Sequence, residues 1–150
     1  MGEARRTIIV HAYDDNSEPN DVGFSMSGYG VRNNEIKCAK DKARGGMPKE
    51  RAHEVVFELA DRTDLELRFV DDLANAMWVS DNDTDCPHVA AHQNTVVRAT
   101  EVSQDGERLT VENFNPVRKR YKFALNFVDK DGTIVSFDPI WENQNGGKNR

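Results

Sequence analysis

The chain has 150 residues, with 20 Lys and Arg against 26 Asp and Glu, which gives a formal net charge of -6. A chain of this length fits one domain that buries roughly two-thirds of its unfolded surface. The 37% apolar residues, with seven Phe, three Tyr and two Trp, exclude a disordered chain. The acidic balance disfavours nucleic acid and anionic membranes as partners, because there is no global positive field to attract them.

The ends of the chain carry no targeting pattern. Near the N-terminus only residues 7–10 are apolar-leaning in a row, whereas a secretory signal needs roughly 7–15 apolar residues and a membrane span about 20. We therefore expect a cytoplasmic protein with a single domain over residues 1–150 and a polar, Gly-rich flexible tail at 143–150. The two cysteines, Cys38 and Cys86, are left open as free thiols or a disulfide.

Four strands are predicted in the first half of the chain, at residues 7–13, 24–31, 54–59 and 65–69. In the third strand Val55, Phe57 and Leu59 share one face, which is the period-two alternation of a half-buried strand. The fourth strand repeats this alternation after a short polar link. The third and fourth strands therefore form either a hairpin or successive strands of opposite sheets.

A fifth strand is predicted at residues 76–80, where Trp78 lies between two apolar neighbours. We expect Trp78, and Trp141 near the C-terminus, to be core groups, because a Trp flanked by apolar residues is mostly buried. Exposure of either indole would instead indicate an interface.

The segment from Asp81 to His92 holds the residues best suited to a metal. Three carboxylates at alternate positions could bind Ca²⁺ in a loose oxygen-rich site, although Cys86 and His92 stand where an EF-hand loop needs Gly and Glu. A thiolate and two imidazoles in the same segment are ligand types that zinc prefers, and three such ligands plus water would make an open, hydrolytic site. The alternative is a polar surface loop. The candidate ligands are Asp81, Asp83, Asp85, Cys86, His88 and His92.

The second half of the chain predicts two hairpins. Residues 95–103 and 108–114 flank one Asp-Gly turn, and residues 121–127 and 133–137 flank another. Asp-Gly between alternating apolar residues is the strongest short-range hairpin signal. The pattern is that of a sandwich or barrel.

A basic stretch precedes the last hairpin. On a strand, Arg118, Arg120 and Lys122 would share the face opposite Tyr121 and Phe123. Such a face could bind an anion or nucleic acid. The alternative is a charged strand face that discourages edge-to-edge aggregation, and the acidic net charge favours this alternative.

Several apolar, aromatic and turn residues recur in a fixed order from about position 54 onward. They are Val55, Phe57, Leu59, Leu67, Phe69, Trp78, Cys86, Pro87, Tyr121, Phe123, Leu125, Asp138 and Pro139. This order resembles small bacterial immunoglobulin-like sandwich proteins, and the resemblance implies a fold but no particular activity.

The sequence thus predicts an all-β, two-sheet antiparallel sandwich of the immunoglobulin-like or jelly-roll-like kind, with about eight or nine strands. No nucleophile elbow, Gly-rich phosphate loop or HExxH pair occurs in the chain. We therefore expect a non-enzymatic module that binds a protein partner or a second copy of itself. The alternative is a Ca²⁺ or zinc protein that uses Asp81 to His92.

Overall fold

The structure is a computed structural model. The structure describes residues 5–15, 21–28, 31–32, 35–38, 53–80, 87, 89–93, 97–113 and 119–143. These residues are mostly β-strand, which confirms the predicted all-β class. None of the helices among them is long and apolar enough to cross a membrane.

The described residues form thirteen strand segments, one short α-helix and one 3-10 helix, so the predicted eight or nine strands are not confirmed. Several segments are only two residues long. The elements are β1 (Arg5–Asp15), β2 (Asp21–Ser27), β3 (Val31–Arg32), β4 (Glu35–Cys38), β5 (His53–Asp61), β6 (Arg68–Phe69), α1 (Leu73–Ala76), β7 (Met77–Val79), β8 (Val89–Ala90), the 3-10 helix (Ala91–Gln93), β9 (Val97–Val102), β10 (Arg108–Asn113), β11 (Lys119–Val128), β12 (Ile134–Phe137) and β13 (Ile140–Asn143).

The first sheet has the strand order β2-β1-β5-β10-β9. Strands β1 and β5 run parallel, with Ile8 opposite Phe57, while the other neighbours are antiparallel. The prediction of wholly antiparallel sheets is therefore wrong. Alternation of apolar residues specifies which side chains are buried, but it is the same pattern in either chain direction. Thirty-seven residues, 16–52, separate β1 from β5, which is ample for the long connection that parallel strands need.

The remaining strands assemble around β11, the long strand near the C-terminus. One edge of β11 pairs with β13 and then β12, and the other edge pairs with β7 and β6. Strand β8 continues the sheet beyond β7, while β4 and β3 continue it beyond β13. The pairing of β13 with β4 is parallel. Strand β11 is thus the central strand of the second group.

The buried residues form one cluster to which both β5 and β11 contribute. The ring of Phe57 on β5 lies 5.9 Å from that of Phe123 on β11. On β2, Phe24 stacks on Phe127 at 5.3 Å and on Phe137 at 5.1 Å. These aromatic contacts connect the two groups of strands, and they bury large apolar areas whose removal from water drives folding.

Both hairpins flanking an Asp-Gly turn are confirmed. Strand β9 pairs with β10 and β11 pairs with β12, and Gly106 and Gly132 both have positive φ, at 74° and 85°. At the second turn the carboxylate of Asp129 accepts hydrogen bonds from the backbone N–H of Asp131 and Thr133. Glycine is favoured at such a position because a side chain is strained at positive φ.

The predicted strand at residues 65–69 is largely absent, because only β6 is extended. The carboxylate of Asp61 instead accepts hydrogen bonds from the backbone N–H of Thr63 and Leu67, which folds the link into a turn. Strand β5 belongs to the first sheet and β6 pairs with β11. The two strands therefore belong to different sheets and do not form a hairpin.

Candidate binding site

Most of the predicted metal ligands lie outside the described residues: Asp81, Asp83, Asp85, Cys86 and His88. His92 lies in the 3-10 helix and is half-buried, and its Nδ1 atom is buried without a hydrogen-bond partner in the described part of the chain. Among the described residues, no three His, Cys, Asp or Glu side chains come together as a metal could require. The metal hypothesis therefore stays a prediction.

The basic stretch is described in part. Arg118 lies outside the described residues, and the backbone of Arg120 pairs with Glu142. Lys122 is half-buried on β11, opposite Ile140. Partial burial raises the pKa of Asp138, and the positive charge of Lys122 opposes that rise. The one described cation of this stretch therefore has a carboxyl group nearby, and anion binding stays a prediction.

The indole of Trp78 lies on the outer face of the sheet, so the expectation that it is a core group is wrong. In the pairing of β7 with β11, Val79 lies opposite Phe123 on the buried face, and Trp78 lies opposite Ala124 on the other face. Its side chain is 36% exposed, and its Nε1–H donates a hydrogen bond to the carbonyl of Ala74 at 3.2 Å. The side chain of Trp141 is outside the described set.

A groove with a volume of about 350 Å³ opens beside Trp78 on this outer face. The register of β11 with β12 places Asn126 opposite Ser136 and Val128 opposite Ile134, so side chains of both strands point to the same side. Ile134 is 55% exposed. The lining residues are Val70, Asn75, Trp78, Asn126, Ile134 and Ser136.

The base of this groove, which we call the Asn126 groove, is a buried amide. Asn126 is 5% exposed, and its Nδ2 donates to the carbonyl of Asn75 at 2.7 Å. Its Oδ1 accepts a hydrogen bond from the hydroxyl of Ser136 at 2.6 Å. Because a backbone carbonyl can only accept, the orientation of the amide is determined, and so the hydroxyl of Ser136 must be the donor. Each oxygen and nitrogen of the buried amide therefore has a partner.

Helix α1 forms the neighbouring wall. The Asp72 carboxylate caps this helix by accepting from the backbone N–H of Ala74 at 3.1 Å, and it also accepts from Nδ2 of Asn75 at 2.9 Å. The helix ends at Ala76, where the chain extends into β7. The cap thus fixes the carbonyls of Ala74 and Asn75. These carbonyls accept hydrogen bonds from Trp78 and Asn126 of the groove.

The arrangement is suited to binding. None of the described lining residues is titratable, and the proton of the Ser136 hydroxyl is directed to an amide oxygen rather than to a base. Two exposed apolar side chains, Trp78 and Ile134, flank a fixed polar base. A mostly apolar concavity with a few convergent polar groups is the usual form of a ligand site.

The chain matches no protein-family model and no curated protein sequence. The immunoglobulin-like resemblance therefore stays a prediction. The sequence did not identify the Asn126 groove. The one sequence feature that pointed toward it was Trp78, whose exposure would indicate an interface.

Proposed function

We propose that the protein is a non-enzymatic binding module that holds a segment of a protein partner in the Asn126 groove. The observation that carries this proposal is the exposure of Trp78 and Ile134 on either side of a buried, hydrogen-bonded amide. Trp is enriched among the residues that contribute most to binding energy at interfaces. A volume of about 350 Å³ accommodates one or two side chains of such a segment.

The scaffold that we propose is a two-sheet sandwich. The contacts of Phe57 with Phe123, and of Phe24 with Phe127 and Phe137, support packing of the first sheet against the strands around β11. Such packing would use the inner face of β11 for the core and leave its outer face for a partner. A site built mostly on strands keeps its geometry in the free protein, which lowers the entropic cost of binding.

The test is selection of random peptides displayed on phage against the whole chain, followed by binding to the Trp78→Ala variant. We expect selected peptides to bind the variant at least about tenfold more weakly, because truncation removes the indole wall. A matched control is Tyr13→Ala, which removes an exposed aromatic group from β1 in the first sheet. Failure to select any peptide, or equal loss in both variants, would overturn the proposal.

Self-association is an outcome of the same test. If the occupant of the groove is a second copy, sedimentation velocity will detect a dimer that Trp78→Ala dissociates. A dimer that persists in this variant would place self-association elsewhere on the surface.

A second candidate function, metal binding through Asp81 to His92, is favoured by one observation. The buried Nδ1 of His92 has no hydrogen-bond partner in the described part of the chain, and an imidazole nitrogen without such a partner can coordinate zinc. Plasma mass spectrometry of the untagged protein, with melting curves in the presence and absence of a chelator, tests this. Stoichiometric zinc or calcium that raises the melting temperature would support it, and metal-free protein with an unchanged melting curve would remove it.

A further inference from the structure

We infer that the Asn126 groove takes the cationic side chain of a lysine or arginine from a basic segment of the partner. This inference rests on the proposed function and names the chemistry of its ligand. Three observations carry it: the hydrogen-bonding capacity left at the groove, the charges around it, and the indole wall.

The polar groups of the groove offer a ligand mainly acceptors. The single hydrogens of Trp78 Nε1 and of the Ser136 hydroxyl are donated to other groups of the protein. Nδ2 of Asn75 donates one of its two hydrogens to the carboxylate of Asp72, and Nδ2 of Asn126 donates one of its two to the carbonyl of Asn75. The lone pairs of the Ser136 hydroxyl and of the Asn75 side-chain carbonyl remain for a ligand, and they outnumber the one further hydrogen on each amide nitrogen. Lysine and arginine side chains, which carry only donors, complement such a set.

A negative charge lies one hydrogen bond from the groove. The carboxylate of Asp72 is 2.9 Å from Nδ2 of Asn75, and Asp71 beside it is exposed. Among the described side chains, Lys122 interacts with Asp138, and the stem of Arg68 lies against Gly106, since a Cβ added to Gly106 would be 2.6 Å from the Cβ of Arg68. The charged group that is hydrogen-bonded to a lining residue is the carboxylate of Asp72, and its negative charge favours a cation.

The aromatic and apolar walls of the groove complement the charged head and the methylene stem of a lysine or arginine side chain. The face of an indole attracts a cation more strongly than any other aromatic side chain does. Val70 and Ile134 give apolar surface against which the methylene stem of lysine or arginine can pack. The groove therefore complements both the charged head and the apolar stem of one basic side chain.

The experiment uses blocked pentapeptides with two glycines on each side of a central Arg, Lys, Gln or Leu. Each is titrated into the full chain while the indole Nε1–H resonance of Trp78 is followed by NMR. We expect the Arg and Lys peptides to bind at least about tenfold more tightly than the Gln and Leu peptides. Their affinity should fall when the ionic strength is raised from about 0.05 M to about 0.5 M.

The variant Asp72→Asn sharpens the test. Asparagine is as good an N-cap as aspartate, so α1 should stay intact while the charge is lost and the preference for Arg and Lys decreases. The control Glu101→Gln removes a charge from an exposed position on β9 in the first sheet, and it should keep the preference.

Three results would overturn the inference. The first is equal binding of the four peptides, which would leave the proposed function intact because the groove would still bind a peptide. The second is an equal effect of Asp72→Asn and Glu101→Gln, which would mean that both variants act only through the net charge of the protein. The third is no shift of Trp78 with any peptide, and the phage selection would then decide separately whether the groove binds peptides at all.

Discussion

The two faces of β11 are both buried at mid-strand, but they are buried in different ways. On the inner face, Phe123 and Phe127 are fully buried and contact aromatic rings of the first sheet. On the outer face, Ala124 and Asn126 are each 5% exposed, and the polar one is held by hydrogen bonds to Asn75 and Ser136. The carbonyl of Asn75 in α1 contacts the outer face, and aromatic rings of β2 and β5 contact the inner face.

Each kind of burial makes a different contribution to the protein. Ring packing removes apolar area from water and stabilises the fold in proportion to that area. A buried amide contributes little net stability, but it is costly to leave unpaired, so it specifies one arrangement of its neighbours. The inner face therefore stabilises the domain, and the outer face gives the groove its defined shape.

The largest expected effect is on the inner face. Phe127→Ala should lower the free energy of unfolding by about 3–5 kcal/mol, because this fully buried ring contacts Phe24 at 5.3 Å and Phe69 at 4.6 Å. Urea denaturation measures the loss. Phe127→Leu, which keeps most of the apolar volume, should lose less. A loss below about 1 kcal/mol for the alanine variant would mean that the inner face is not the main packing layer.

The next effect concerns the amide of the outer face. Asn126→Ala should cost about 1–3 kcal/mol, because it removes both hydrogen bonds of a nearly fully buried amide and leaves the Asn75 carbonyl without its donor. Ser136→Ala removes only one of these two hydrogen bonds and should cost less. Chemical denaturation of both variants compares them. If the serine variant were the less stable one, the amide would not be the centre of the network.

A smaller effect on stability is expected at the rim of the groove. Ile134 is 55% exposed, so Ile134→Thr should change the free energy of unfolding by no more than about 0.5 kcal/mol. The same substitution at the fully buried Ile36 on β4 is the matched control, and it should cost several times more. Thermal melts that rank the two variants in the opposite order would contradict the assignment of Ile134 to a free surface.

The smallest effect is electrostatic. Lys122→Met should raise the pKa of Asp138 further, because Lys122 opposes the rise that burial causes. A carboxyl group with a raised folded-state pKa stabilises the fold below its unfolded pKa, and this contribution is lost as the pH rises through the folded pKa. In the variant that loss should therefore move to higher pH. NMR titration of the Asp138 carboxyl carbon measures the shift, and a pKa that stays the same or falls would contradict the prediction.

Local signals were enough to predict the last hairpin. The alternation of Tyr121, Phe123 and Leu125 gave the buried face of β11, and the Asp-Gly turn fixed where the chain reverses. Both signals act within a few residues, so they survive without knowledge of the rest of the fold.

The groove could not be predicted in the same way. All three residues of β7 are apolar, so nothing in the sequence indicated that the side chain of Trp78 faces outward. Asn126 appeared as one polar residue on an alternating strand, whereas its partner Asn75 is 51 positions away. The predicted metal ligands from Asp81 to His88 lie outside the described residues, so only His92 could be placed.

The residues along each strand specify that this chain forms β-strands, which face of β5 and of β11 carries the large core side chains, and where the two Asp-Gly turns lie, because each of these depends on neighbours along the chain. Tertiary structure sets the parallel pairing of β1 with β5 and the pairing of β6 with β11. It also decided that Trp78, Asn126 and Ile134 meet on one face. Strand pairing is settled by contacts between distant segments, and alternation along a single strand carries no record of its partner or of its direction.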